Sequence, residues 1–336
     1  MTLRPAGFCL ALVSAMCVAS TRVGAQASPP RSAPLPVPAW AFPTTSKDAV
    51  ILSPPFDSVT PVHLKGSRRT FTVAQTRNQN TPPDWYPELH ARMPESVARG
   101  RVGSVAACGY CHLPDGQGRS ENATLAGLPA DYILRQLDDM KSGARTTAMT
   151  GWAPFSNMHR VADSVSATEA RTAAEYFSHA RARRHFAVVE RAEIPAVYQV
   201  AFVYAVKKGG GTEPIDGRLI EIADDLERHE LRDPKATYTA FVPPGSIAAG
   251  KRIATAKEKT PLRACASCHG PSLLGVGPIP PIAGRSPSYL FRQLLAFRNG
   301  ARVSATSAPM QAVAASLDMN ELIAVASYAG SLRPSR

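Results

Sequence analysis

The sequence predicts a mainly α chain: two copies of one small helical domain joined by a small β-containing connector. Three observations carry this. A set of residues recurs at a shift of 157 positions, helical apolar spacing closed by glycine occurs in both copies, and the stretch between them alternates large and small side chains as strands do. The 336 residues are enough for about two domains at ~100–200 residues each, so more than one core is expected. With 44% hydrophobic and 19% charged residues and a mean hydropathy of −0.12, the composition is globular and excludes a disordered chain or a polytopic membrane protein. The 30 prolines exceed the usual ~5% and cluster, which points to extended connections.

Residues 1–27 read as an export signal. Arg4 supplies a positive start, Gly7 to Ser20 is an uncharged apolar run shorter than the ~20 residues of a membrane span, and Ala25-Gln26-Ala27 is a small-residue cleavage site. Cys9 and Cys17 would leave with it, and Met16 before Cys17 argues against a lipoprotein site. A periplasmic location with no transmembrane segment in the mature chain follows. Residues 28–45 are Pro-rich and are expected to form an extended tether. In the N-terminal extension 46–90, Val62 to Val73 suggests a hairpin.

The first helical domain spans 91–182 and the second 246–336. Pro94 to Gly100 and Ser246 to Ala254 predict first helices, with Pro94 in a first turn and Ser246 as N-cap. Tyr132 to Met140 and Tyr289 to Phe297 predict helices closed by Gly143 and Gly300, and Thr168 to Ala180 and Met319 to Leu332 predict the last helix of each copy. In the connector, 183–245, the alternation of Tyr198, Val200, Phe202, Tyr204 and Val206 ahead of Gly209-Gly210-Gly211 predicts one strand and a turn, with Tyr238 to Val242 as its pairing partner.

The chemistry concentrates in Cys108-Gly-Tyr-Cys111-His112 and Cys265-Ala-Ser-Cys268-His269. Two residues between thiols let both sulfurs reach the vinyl groups on one haem edge, while the next residue brings an imidazole under the iron. A redox dithiol or half a zinc site is the alternative; two copies behind an export signal, with no other cysteine in the mature chain, speak against both. The repeat extends past the motifs: Pro114 with Pro271, Ala126-Gly127 with Ala283-Gly284, Tyr132 with Tyr289, Arg135-Gln136-Leu137 with Arg292-Gln293-Leu294, and Gly143-Ala144-Arg145 with Gly300-Ala301-Arg302. The register then changes to a shift of 152, matching Met158 with Met310, Val161-Ala162 with Val313-Ala314, Glu169 with Glu321 and Tyr176 with Tyr328.

Over about 91–182 and 246–333 the chain resembles class I cytochrome c, and most of all the diheme cytochromes of the c4/c553 kind. The resemblance implies two covalently bound haem c groups, on Cys108, Cys111 and His112 and on Cys265, Cys268 and His269. It implies iron ligands His112 with Met158 and His269 with Met310. Met149 is the rival to Met158, but only Met158 keeps the spacing of Met310 to the following Val-Ala and Glu. His159 is a second rival; a surface or supporting role fits it better, and His63, His90, His179, His185 and His229 lack ligand-like context. Tyr132, Arg135, Arg145 and their counterparts Tyr289, Arg292 and Arg302 are candidates to bind haem propionates. Pro278, Pro280 and Pro281 offer a carbonyl to the axial His269, whereas Asn122, Ala123 and Thr124 occupy that stretch in the first copy, so unequal haem potentials are expected.

His/Met ligation saturates the iron, which suits one-electron transfer and leaves no vacancy for oxygen or peroxide. An electron carrier passing electrons between redox partners follows, and not a catalyst. The alternatives are a diheme peroxidase-like enzyme with one open haem, which a Met in both copies disfavours, and the cytochrome subunit of a dehydrogenase complex. The formal charge of +12 falls to +10 without Arg4 and Arg22, and haem propionates bring it to about +6. That suits acidic redox proteins or a membrane-associated dehydrogenase or oxidase, and no nucleic-acid-binding motif accompanies it.

Overall fold

The computed structural model describes residues 1–2, 33–45, 59–256 and 264–334. Most of the expected export segment, Cys9 and Cys17 included, lies outside them. The described residues from Ala33 onward belong to one compact unit, and the following concerns that unit.

The segment expected to be a tether is extended but packed. A 3₁₀ turn at Ala39–Ala41 buries Ala41 and Phe42. Trp40 lies 4.9 Å from Phe291 and Phe42 meets Trp152 edge-on at 5.4 Å. Leu35 exchanges two hydrogen bonds with the Asn299 side chain, and Tyr204 donates to Trp40 O at 3.0 Å. Burying a ring of this size contributes roughly 1.5–3 kcal/mol, enough to fix a Pro-rich strand that composition alone would leave loose.

The predicted hairpin forms as β1 (Pro61–His63) against β2 (Thr70–Thr72), followed by α1 (Val73–Thr76), which opens with a Thr72/Gln75 capping box. The first repeat contains α2 (Glu95–Ala98), α3 (Cys108–His112), α4 (Ala130–Lys141), α5 (Ala153–Ser164) and α6 (Ala167–His179). Pro94 is the N-cap of the single-turn α2, one position outside the first turn where it was expected. Helix α6 starts at a Ser166/Glu169 capping box.

Between the repeats the chain is richer in strand than a mainly α reading allows. Strands β3 (Phe186–Glu190), β4 (Glu193–Pro195), β5 (Val197–Val200), β6 (Val203–Val206), β7 (Thr212–Pro214), β8 (Ile220–Ala223) and β9 (Tyr238–Val242) build a mixed five-stranded sheet in the order β3-β9-β8-β6-β5 and a two-stranded pair β4-β7; α7 (Leu226–Glu230) precedes β9. The single strand expected over 197–206 is a hairpin. Ala201 and Phe202 both take positive φ, 47° and 66°, as a two-residue hairpin turn of the I′ kind requires. Because Val200 pairs with Val203, the turn shifts the alternation by one, and the five alternating side chains do not share a face. Tyr238–Val242 pairs with β8 and, in parallel, with β3, and not with the hairpin as expected.

The second repeat contains α8 (Ser246–Ala254), α9 (Cys265–His269), α10 (Pro287–Arg298), α11 (Ala308–Ala315) and α12 (Met319–Ser331). Gly245, at φ 83°, caps α8 in place of the expected Ser246, whose Oγ donates instead to Pro243 O. Helix α12 begins at an Asp318/Glu321 capping box, so the Glu169/Glu321 match in the repeat has a local structural cause. Helices α8 and α12 cross closely enough that a Cβ on Gly250 would lie 2.0 Å from Ala324 O. Gly143 and Gly300 follow α4 and α10 in the left-handed region, as predicted.

One core joins the parts. Phe42, Trp152 of the first repeat, Leu219, Ala240 and Val242 of the sheet region, and Phe291, Leu295, Leu322 and Val325 of the second repeat form a single buried cluster. Glu221, buried on β8, accepts from Ser286 Oγ and Ser288 N at the start of α10 and so ties sheet to helix. Trp85 of the extension donates to Leu231 O. Among the described residues no helix is long and apolar enough to cross a membrane.

Candidate functional site

Each Cys-x-x-Cys-His motif is a short helix, α3 or α9, whose last residue is a buried histidine. The chain leaves α3 through Leu113 at φ 64° and α9 through Gly270 at φ 81°. The loops beyond repeat hydrogen bond for hydrogen bond. Gly118 N donates to His112 O as Gly275 N does to His269 O, each at 2.9 Å, and the Arg119/Asn122 bridge recurs as Val276/Ile279. These loops return a carbonyl to the histidine. His112 Nδ1 lies 2.8 Å from Ala123 O, and His269 Nδ1 lies 2.8 Å from Pro280 O. A carbonyl accepts only, so Nδ1 carries the proton and Nε2 keeps its lone pair free. Burial lowers both imidazole pKa values, and the carbonyl bond opposes it without prevailing. The proline-for-alanine difference between the copies therefore leaves the bond itself unchanged, which removes the expected cause of unequal potentials.

Three of the thiols are held neutral by burial. Burial pushes Cys108 up to about 12 and Cys265 to about 11, and raises Cys111 as well. A reactive dithiol or a zinc thiolate needs the opposite shift. Among the described residues no cluster of three His, Cys, Asp or Glu could hold a metal ion by itself.

A cavity of about 560 Å³ opens beside α3, within the ~300–1,000 Å³ of small-molecule and cofactor sites. Cys108, Cys111, His112, Trp152, Met158 and Phe177 line it. Met149 does not; it packs on the core cluster that contains Phe42 and Trp152. His159 points to Asp163 at 3.1 Å on the exposed side of α5. Part of the wall comes from the other repeat, through Tyr289, Arg292, Gln293 and Ala296 of α10.

The repeated arginines meet where the two copies join. Thr146 N donates to Ala301 O at 2.6 Å and Val303 N to Ala144 O at 2.8 Å, pairing the two Gly-Ala-Arg turns. Arg145 donates to Gln136 Oε1 at 2.9 Å and to Gln293 Oε1 and Tyr289 OH at 3.1 Å; Arg302 donates to the same two amide oxygens. Two buried guanidiniums thus share neutral acceptors. Burial and then Arg145 lower the Arg302 pKa; for Tyr132, burial raises it but the pull of Arg302 and Arg145 prevails and lowers it. Arg302 Nε has no partner. The glutamines were visible in the sequence only as part of the Arg-Gln-Leu repeat, where self-matching is the one signal of a symmetric interface. Arg285, which lies outside every matched segment, gave none.

The cytochrome c family model matches residues 247–333, the second repeat. The cytochrome subunit of sulfide dehydrogenase from Chlorobaculum tepidum is 33% identical over 92 residues, covering 27% of this chain and 76% of that one. The chain belongs to the class I cytochrome c family. Cytochrome c4 of Azotobacter vinelandii is 27% identical over 231 residues, covering 67% of this chain and 84% of that one, and the thiosulfate dehydrogenase electron acceptor of Stutzerimonas stutzeri is 28% identical over 229 residues, covering 67% and 78%. Membership of the cytochrome c family indicates covalently bound haem c. The residues fit such a group: paired thiols, kept protonated by burial at Cys108, Cys111 and Cys265, suit thioethers, a free Nε2 suits iron, and two buried cations lacking a carboxylate suit the anionic propionates, since an uncompensated buried charge costs several kcal/mol.

Proposed function

We propose that this cytochrome c carries single electrons between redox partners through two covalently bound haems. Cys108, Cys111 and His112 hold the first, and Cys265, Cys268 and His269 the second, with Met158 and Met310 as the opposing ligands. The observation that carries this is the doubled histidine geometry, with Nδ1 bound to a loop carbonyl at 2.8 Å in both copies and Nε2 left for a metal.

When bound, haem would supply a one-electron couple, held by His nitrogen and Met sulfur donors of this chain. The chain's own residues orient and shield it. Ala123 O and Pro280 O fix the imidazole tautomers, Met158 on α5 shares the cavity with His112, and the α10 residues close that cavity from the other repeat. Arg145, in the wall of that cavity, and Arg302 beside it offer positive charge where the two repeats join. With Met158 and Met310 each held as the partner of a histidine, the groups would leave no vacant position for substrate, which favours a carrier over a peroxidase-like enzyme.

A periplasmic setting agrees with the export-like start of the sequence, and the positive charge suits an acidic redox protein or a membrane-associated dehydrogenase or oxidase. Similarity to a thiosulfate dehydrogenase electron acceptor and to a dehydrogenase's cytochrome subunit favours a second form of the same reading, in which the chain serves one dehydrogenase as its cytochrome component. The boundaries proposed for the two haem domains are 91–182 and 246–336, with 183–245 between them.

Mass spectrometry of the exported protein should give two added haems and a start near Ser28, and the reduced protein should not bind carbon monoxide. A single haem, or rapid carbon monoxide binding at one site, would overturn the two-haem carrier.

A further inference from the structure

The loop that presents Ala123 O to His112 is not stiffened by its own sequence. Its counterpart in the second repeat contains Pro278, Pro280 and Pro281, whose rings lock φ, whereas Asn122, Ala123 and Thr124 leave the first loop free to move. Yet the two histidine bonds have the same length. Something outside the loop must hold the first one.

Two arginines of the second repeat do so. Arg285 Nη1 donates to Thr124 O at 3.0 Å and Nη2 to Ala126 O at 2.9 Å, and Arg292 Nη2 donates to Ser120 O at 2.6 Å. The three carbonyls bracket Ala123. Both arginines are buried, and Arg292 is itself placed by Ala41 O and the Trp152 ring. Burial lowers Arg285 only to about 10, so it stays charged at neutral pH.

The arrangement is not reciprocal. The residue matching Arg285 in the first repeat is Leu128, and the match of Arg292 is Arg135, which is partly exposed and makes one contact to the second loop, at 3.3 Å to Pro278 O. We propose that Arg285 and Arg292 are positioning residues for the first haem: the second repeat clamps the carbonyl that orients His112, while the second haem's loop relies on its prolines. This rests on the two-haem reading. The histidine bond sets imidazole basicity and through it the iron potential, so the potential of one haem depends on side chains of the other haem's domain.

The test is Arg285→Lys in the full haem-loaded protein. Lysine keeps the charge but cannot bridge two carbonyls. Haem count by mass is checked on the same samples, and the readouts are hydrogen exchange of the His112 and His269 Nδ1 protons by NMR in the reduced state and a redox titration. The expected result is at least ~10-fold faster exchange at His112, no change at His269, and an upward shift of the first midpoint alone, because a loosened carbonyl makes the imidazole a weaker donor. Arg135→Lys should change His269 exchange less than about threefold, since the prolines remain. Unchanged exchange at His112, or equal changes at both histidines, with two haems present, overturns the clamp and leaves the carrier reading intact; fewer than two haems in the unmutated protein overturns both. Should Arg285→Lys not accumulate, Arg292→Lys carries the same expectation, and its failure to affect His112 alone overturns the proposal.

Discussion

Replacing Met158 by alanine, with Met149→Ala beside it, separates a ligand from a packing residue. Met158 lies on α5, half-buried, in the cavity wall shared with His112. Met149 is also half-buried but packs on the cluster of Phe42, Trp152 and Leu295 and does not line that cavity. If each haem has one sulfur ligand, Met158→Ala removes one of two, and the far-red sulfur-to-iron absorption should fall by about half. The first haem should then bind carbon monoxide while the second does not. Met149→Ala should leave both signals untouched and act on stability. A fully buried Met→Ala costs ~2–5 kcal/mol, so a half-buried one should cost about 1–2 kcal/mol in a urea titration. The refuting result is the exchange of roles, with Met149→Ala abolishing half the band; the spacing argument from Met310 would then be wrong.

Three further expectations follow from the same geometry. Gly250→Ala should destabilise the second repeat by at least about 1–3 kcal/mol, because its Cβ would meet Ala324 O at 2.0 Å and backbone cannot step aside as a flexible side chain can; unchanged thermal unfolding would mean the α8/α12 crossing is looser than it stands. Burial lowers the pKa of His185 from 6.5 to about 4, so between these values the unfolded chain binds the extra proton and stability rises with pH; the loss on going from pH 7 to pH 4 should be on the order of 3 kcal/mol from this group, and urea titrations of His185→Gln should show a correspondingly flatter pH dependence, an unaltered slope counting against it. With the formal charge of +12 reduced to about +6 once the export segment is lost and propionates are added, reduction by a small anionic reagent should slow at least about twofold between low and physiological ionic strength as the Debye length shrinks from ~30 to ~8 Å, and a rate that stays constant or rises would refute steering by net charge.

Much of the site was legible because it is local. A Cys-x-x-Cys-His stretch is one helical turn, and its thiols and imidazole are brought together by their own spacing, so α3 and α9 needed no partner to be recognised. The capping boxes at Ser166/Glu169 and Asp318/Glu321, and the left-handed Gly143 and Gly300, are likewise set within a few residues. The repeat register favours Met158 over Met149 as a ligand without any knowledge of distance; in the structure Met158 lines the described cavity and Met149 does not.

Everything decided by residues far apart in the chain needed the tertiary structure. The alternating run at 197–206 reads as one strand, and only the pairing of β5 with β6 and of β6 with β8 in the tertiary structure places a turn at Ala201 and Phe202. The Pro-rich segment looked like a tether because composition reports stiffness and not the pocket that Phe42 fills. Ala123 and Pro280 differ in sequence yet accept the same hydrogen bond, since a backbone carbonyl is positioned by whatever grips its loop. In the first copy that grip comes from Arg285 and Arg292, roughly 160 to 170 positions away. The sequence by itself determined the local chemistry of each half, because short-range sterics and spacing act along the chain; which half holds the other in place was decided by packing, because a hydrogen bond between distant segments leaves no periodic trace in the order of residues.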